Sequence, residues 1–379
     1  MSTTTRIDFA NTLRGYAALC VLVQHYAFGF WHYRPLVGDL VNAPALSEAL
    51  PIPNYLRWLW TIQPFELGQF GVGLFFLISG FVLPFAFQNM GWRGFAIGRI
   101  ARIYPTYAAG FICTVLGIWA CSAYFDRSFP FDPWRVAIHF FPGIHDLTLS
   151  RGIDGIIWTL NIELKFYLVC LLAIPLFRRG SLKVFLIPLA LSMLAWLAIG
   201  PVAAAGGSTA ARGSVLWLAI FFIDFMFVGV VFHFWIRRWL SFWQGLALVA
   251  ALLVAMHLVW WKSLPIKFEY AWSYGASLIF FSIAFRLRAS TLFKPRRLTE
   301  FFADISYPLY VVHGVLGFAI IRVALAAGWP ASAALAIAAC LTVALAAAIH
   351  FIVETPTHKW GRRMAQHVSA RRAGDRQFA

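Results

Sequence analysis

Arg14 and His25 lie in the first apolar stretch of this chain and could carry proton and anion chemistry. On a helix, eleven positions at 100° each bring them within about 20° of one face, about 16 Å apart along the axis. An imidazole exchanges protons near neutrality, and a guanidinium offers an anion a planar fork of donors. A lone membrane histidine is more often a hydrogen-bonded packing residue; the aligned arginine argues for more. Arg99 and Arg102 stand three apart and share a helix face, which suits a phosphate-rich ligand or simple membrane anchoring. Further on, Glu163 and Tyr167 fall on one helical face, and Asn161 and Lys165 on another. Ser306, Tyr310 and His313 can share a third face, as a polar layer or as satisfied core groups, with Pro308 expected to kink it.

The elements that must position these groups follow from composition. Of 379 residues, 61% are hydrophobic and 12% charged, against roughly 45–50% and about 25% in soluble domains. Ten stretches near the length of a membrane-crossing helix occur at 12–31, 68–90, 103–124, 154–177, 182–200, 214–236, 240–259, 269–285, 301–321 and 332–353. They lack the alternation of a membrane β-barrel. The expected fold is therefore all-α, a polytopic membrane helix bundle of about ten transmembrane helices. Arg14 and His25 inside the first stretch, with no small-residue cleavage site after it, argue against a removable signal peptide. Ionised groups near a bilayer centre cost about 2.5–3.5 kcal/mol. Arg14, Glu163, Lys165, Asp224 and Asp304, in or near these stretches, are thus functional candidates or paired structural groups.

The formal charge of +16 would suggest nucleic acid in a soluble protein. Here, of 31 Lys and Arg, 20 fall on one set of connections and nine on the other, with Arg14 and Lys165 inside spans. That bias puts both termini in the cytoplasm, and anionic lipid accounts for the rest without nucleic acid. Residues 1–357 read as one membrane domain and 358–379 as a basic cytoplasmic tail. Two longer outer segments, 32–67 and 125–153, either shape an acceptor site or pack on the bundle. Gly68, Gly71 and Gly73 allow close helix packing. The five cysteines lie in apolar stretches without metal-ligand spacing, so core packing is expected and metal is not. Of the span histidines, His25 and His257 fall outward, His233 and His350 inward, with His313 the fifth; no spacing compels haem ligation.

The chain resembles the acyltransferase-3 family of integral membrane O-acyltransferases. The resemblance rests on Leu13-Arg14-Gly15 with His25, on Gly71 to Phe81 including Phe75-Phe76 and Ser79-Gly80, and on Arg99-x-x-Arg102-Ile-Tyr104-Pro105. It continues through Trp158-x-Leu160-x-x-Glu163-x-x-Phe166-Tyr167, Ser306-Tyr307-Pro308-Leu309-Tyr310-x-x-His313 and Val353-Glu354-x-Pro356. The family commonly has Asp where this chain has Asn11; Asp8, one turn earlier, is a possible substitute. The resemblance implies transfer of an acyl group, often acetyl, from cytoplasmic acyl-CoA to a hydroxyl of an extracytoplasmic carbohydrate or glycoconjugate. It implies the bacterial cytoplasmic (inner) membrane, acyl-CoA as co-substrate and no permanently bound cofactor. His25 is the expected general base, with an acyl-imidazole on His25 as the variant. Arg14 would stabilise donor charge, Arg99 and Arg102 would hold CoA phosphates, and Glu163 and Tyr167 would orient the network. Ser79, Trp158, Tyr310 and His313 are further expected substrate contacts. The competing class is a transporter or flippase of a lipid-linked sugar, its pathway lined by the same charges.

Overall fold

The structure is a computed structural model that describes residues 5–88, 90–150, 152–263 and 268–375, with no strand among them. α1 (Thr5–Val23) continues unbroken through a π-helical turn, Gln24–Gly29, into Phe30–His32. α2 (Leu67–Ala86), α3 (Trp92–Tyr124) and α4 (Ile157–Leu172) follow. Then come α5 (Leu186–Ala205), α6 (Gly207–Ile236), α7 (Phe242–Ser263) and α8 (Phe268–Arg286). A broken pair, α9 (Ser306–Val312) and α10 (Val315–Ala326), precedes α11 (Ala331–Ile349). A second π-helical turn, His350–Glu354, leads into α12 (Thr355–Asp375).

Helices occupy all ten expected stretches. Among the described residues six are long and apolar enough to cross a membrane, or seven with the bent α9–α10 pair as one span, fewer than the ten expected. This is a membrane protein by the apolar length of those helices. α4 shows why the numbers differ. Its 16 residues reach about 24 Å, short of the roughly 30 Å hydrocarbon core.

The chain before α4 fills the gap, because segment 125–156 sinks into the bundle. The Tyr104 hydroxyl, on α3 about 30 Å before its end at Tyr124, donates to the carbonyl of Pro142 (3.0 Å). Gly143 N–H donates to Asn161 (2.7 Å), and Lys165 pairs with Asp146 at 2.7 Å. Thus the Asn161–Lys165 face of α4 meets this segment. At the start of α4, Asp154 accepts from the backbone N–H groups of Ile156 and Ile157 and from the Tyr107 hydroxyl.

α2 is the central strut, packed on α1, α6 and α8. Side chains of ordinary size would keep these axes apart, and glycine removes that obstacle. A Cβ at Gly71 would lie 2.7 Å from the Ala17 carbonyl of α1, and one at Gly80 would collide with the Met226 carbonyl of α6. Of the cysteines, Cys121 and Cys170 are buried, Cys20 and Cys113 half-buried, and Cys340 exposed on the outer face of α11. Core packing therefore does not hold for Cys340.

Segment 32–67 packs against the π-helical turn. Trp60 donates its indole N–H to the carbonyl of Ala27 (3.0 Å), and its ring stacks on Phe28. Buried Arg34 closes this segment on itself by donating to the carbonyls of Trp31, Ser47 and Leu50. After residue 357 the basic stretch is helical, and Gly361 and Ala365 of α12 are buried along α3.

Candidate active site

α1, α2, α3, α4 and α9 surround a cavity of about 130 Å³. Its charged and polar lining includes Arg14, Ser79, Arg99, Arg102, Glu163 and Tyr167. Helical spacing explains the convergence, since Arg99 and Arg102, and Glu163 and Tyr167, each share a face. Glu163 accepts hydrogen bonds on one oxygen from Ser79 (3.0 Å) and from the Tyr167 hydroxyl. Tyr307, at the cavity wall, donates to the carbonyl of Ile103 (3.0 Å). Thr159 donates to the Ile156 carbonyl and so accepts from the Tyr310 hydroxyl at 2.8 Å.

The cations have no such partners. The ion pairs Lys165–Asp146 and His350–Glu354 lie elsewhere, and among the described residues Arg14, Arg99 and Arg102 make neither ion pair nor hydrogen bond. Arg99 lies over the rings of Phe95 and Tyr167, 5.2 and 5.0 Å from their centroids. Ring faces hold a guanidinium without consuming its N–H donors. Three cations thus face one carboxylate, with their donors free. Such a site suits a multiply charged anion.

His25 and His313 stand apart from this lining and face each other. His25 sits in the π-helical turn, a feature often found at functional sites, and its Nδ1 lies 2.9 Å from the Val21 carbonyl and 3.2 Å from Nε2 of His313. His313 ends α9, and its Nδ1 lies 2.9 Å from the Leu309 carbonyl and 3.0 Å from that of Tyr310. Carbonyls only accept, so the network assigns both protons: Nδ1–H on His313 and Nδ1–H on His25. The lone pair of His313 Nε2 then receives the His25 proton, and His25 Nε2 keeps its own lone pair with no hydrogen bond among the described residues.

A helix break sets this geometry. Between α9 and α10 the axis turns by 54° at His313–Gly314, and the Tyr26 hydroxyl donates to the released carbonyl of His313 (2.9 Å). Pro308, expected to kink the helix, sits in the first turn of α9, where its missing N–H breaks no helical bond. Tyr310 joins the two centres, lining the cavity with its ring 5.7 Å from that of His313.

Several expected residues lie elsewhere. Trp158 packs against Phe222 of α6 rather than on the cavity. Asp224 is fully buried and accepts from Ser192 (2.5 Å), whereas Asp304 is exposed. Asn11 is exposed, and neither it nor Asp8 lines the cavity. Sequence reasoning missed Thr159 and the joining of His25 to His313, 288 residues apart. No group of three His, Cys, Asp or Glu able to hold a metal occurs among the described residues.

Unpaired arginines around one carboxylate, on the motif-bearing helices, meet an independent observation. A sequence model described as an acyltransferase domain matches residues 7–351. The chain belongs to the acyltransferase-3 family. Among curated proteins and among solved structures, no match was found. The match reaches from α1 into the second π-helical turn and so spans both the cavity and the histidine pair of this acyltransferase-3 chain.

Proposed function

We propose that the chain is an O-acyltransferase, with acetyl the foremost group, of the bacterial cytoplasmic (inner) membrane. It takes the acyl group from cytoplasmic acyl-CoA and delivers it to a hydroxyl of an extracytoplasmic carbohydrate or glycoconjugate. The carrying observation is the pairing of three partnerless guanidiniums with a histidine farther along α1 that keeps a free Nε2. The charge bias supports cytoplasmic termini, an orientation with Arg14 near the inner surface and His25 toward the outer one.

In this reading Arg14, Arg99 and Arg102 hold donor phosphates and balance charge as the thioester reacts. Glu163, fixed by Ser79 and Tyr167, keeps the arginines from dispersing. The thioester passes Tyr310 to reach His25. There Nε2 removes the proton of the acceptor hydroxyl while its oxygen attacks the thioester carbonyl. The new C–O bond forms, the C–S bond breaks, and the departing thiolate takes the proton from the imidazolium. General-base help of this kind contributes typically about 10²–10⁴-fold.

The test uses purified protein with acetyl-CoA and a panel of extracytoplasmic glycans. Release of free coenzyme A thiol in step with a one-acetyl mass gain on the glycan is expected. Glycan crossing a proteoliposome bilayer with no thiol released would overturn the reading in favour of transport.

A further inference from the structure

We propose that α12 completes the donor site, with Arg362 and His358 binding the terminal phosphomonoester of the donor, the 3′-phosphate of coenzyme A. This rests on the acyl-CoA reading and extends it to residues beyond the 7–351 that match the family.

The seam between α12 and α3 carries the argument. A Cβ at Gly361 would strike the side chain of Ala101, so the α12 backbone lies directly on α3 beside Arg102. His358 and Arg362 stand four apart on α12 and share a flank. His358 is affected most by its burial, and after that by the nearby charges of Arg102, Arg362 and Arg99. Four basic groups from two helices therefore gather along one seam. Glu354, just before α12, is buried and engaged with His350 at 2.8 Å. Arg362 is exposed and makes no hydrogen bond or ion pair among the described residues. The guanidiniums of Arg99, Arg102 and Arg362 carry like charges that repel one another, and a bound polyanion relieves that repulsion.

Position separates the roles. Arg99 and Arg102 line the cavity, while His358 and Arg362 stand outside it. Coenzyme A carries its acyl group on one end and its 3′-phosphate at the other. A donor whose thioester reaches past Tyr310 to His25, with its diphosphate on the cavity arginines, leaves the 3′-phosphate outside the cavity, at the seam.

An anionic lipid headgroup offers the same phosphate chemistry, so the experiment separates the two sources. Binding of coenzyme A and of 3′-dephospho-coenzyme A is measured on the purified full chain, in nanodiscs of phosphatidylcholine and of phosphatidylglycerol. In both lipids the wild type should prefer coenzyme A by about tenfold, a charge-assisted phosphate contact. Arg362→Ala should lose that preference while keeping its affinity for the dephospho form, and Arg102→Ala should weaken both nucleotides. Arg362→Gln repeats the test should the alanine variant fail to fold. Equal loss for both nucleotides in the Arg362 variant, or no loss for either, overturns the proposal. So does a loss seen only as weaker binding to phosphatidylglycerol vesicles. A wild type that binds both nucleotides equally overturns it and leaves the donor reading intact. One that binds neither removes the donor reading and the proposal together.

Discussion

The protein contains two pairs of neighbouring histidines, and their contrast shows what sets apart the imidazole proposed as the base. His25 and His313 are joined Nδ1 to Nε2 at 3.2 Å, with ring planes nearly perpendicular. His139 and His145 are closer, 4.0 Å between centroids, yet no hydrogen bond joins them. His139 spends both nitrogens on backbone: Nδ1–H donates to the Arg135 carbonyl, and Nε2 accepts from the N–H of Ile153 at 2.8 Å. His145 is buried with neither nitrogen paired. Burial first, and then His139 beside it, pushes His145 down to about 4, so it is neutral near pH 7. Proximity is common to both pairs. Only the first leaves a lone pair that the fold has not claimed, on a ring whose tautomer the fold dictates.

The sharpest way to break this contrast is His25→Ala. Transfer should fall by about 10²–10⁴-fold with membrane insertion intact, and an active variant would end the base assignment. Next comes His313→Ala, which leaves His25 in place but removes one of the two acceptors of its Nδ1 proton, the other being the Val21 carbonyl. A loss of about ten- to a hundredfold in kcat is expected from misorientation. His313→Gln, which retains an acceptor oxygen, should recover much of it; equal loss in both variants would reduce His313 to packing. The smallest effect belongs to the second pair. His145→Phe should leave transfer unchanged and alter only how stability responds to acid. The folded state holds the His145 proton less tightly than the unfolded state, whose histidine titrates near 6.5. Stability therefore falls as pH drops from about 6.5 toward 4, and is fully present above that window. Thermal melts of the variant should be flatter across that range, and an unchanged acid slope would contradict the assignment.

Sequence and structure agree where the physics is local. Apolar runs mark helices because a lipid-facing backbone must satisfy its own hydrogen bonds. The faces shared by Arg99 with Arg102 and by Glu163 with Tyr167 follow from helical geometry alone, and both pairs reach the cavity. The π-helical turn at His25 has no sequence marker, and the break at His313 has no proline to announce it. The meeting of His25 with His313 depends on how α1 and α9 dock, which no short spacing encodes. Trp158 failed for the same reason: it lies on α4, but α6 takes up its side of the helix.

The ion pair between Lys165 and Asp146 bears on how the chain is assembled in the membrane. A helix of 16 residues carrying both Glu163 and Lys165 partitions poorly into lipid as an isolated unit. Its counter-charge is synthesised first, since Asp146 leaves the ribosome ahead of Lys165. Pairing with Asp146 offsets the charge of Lys165, so α4 is better accommodated in the bilayer together with this segment than alone. The segment is in turn held by α3, whose Tyr104 bonds it at Pro142.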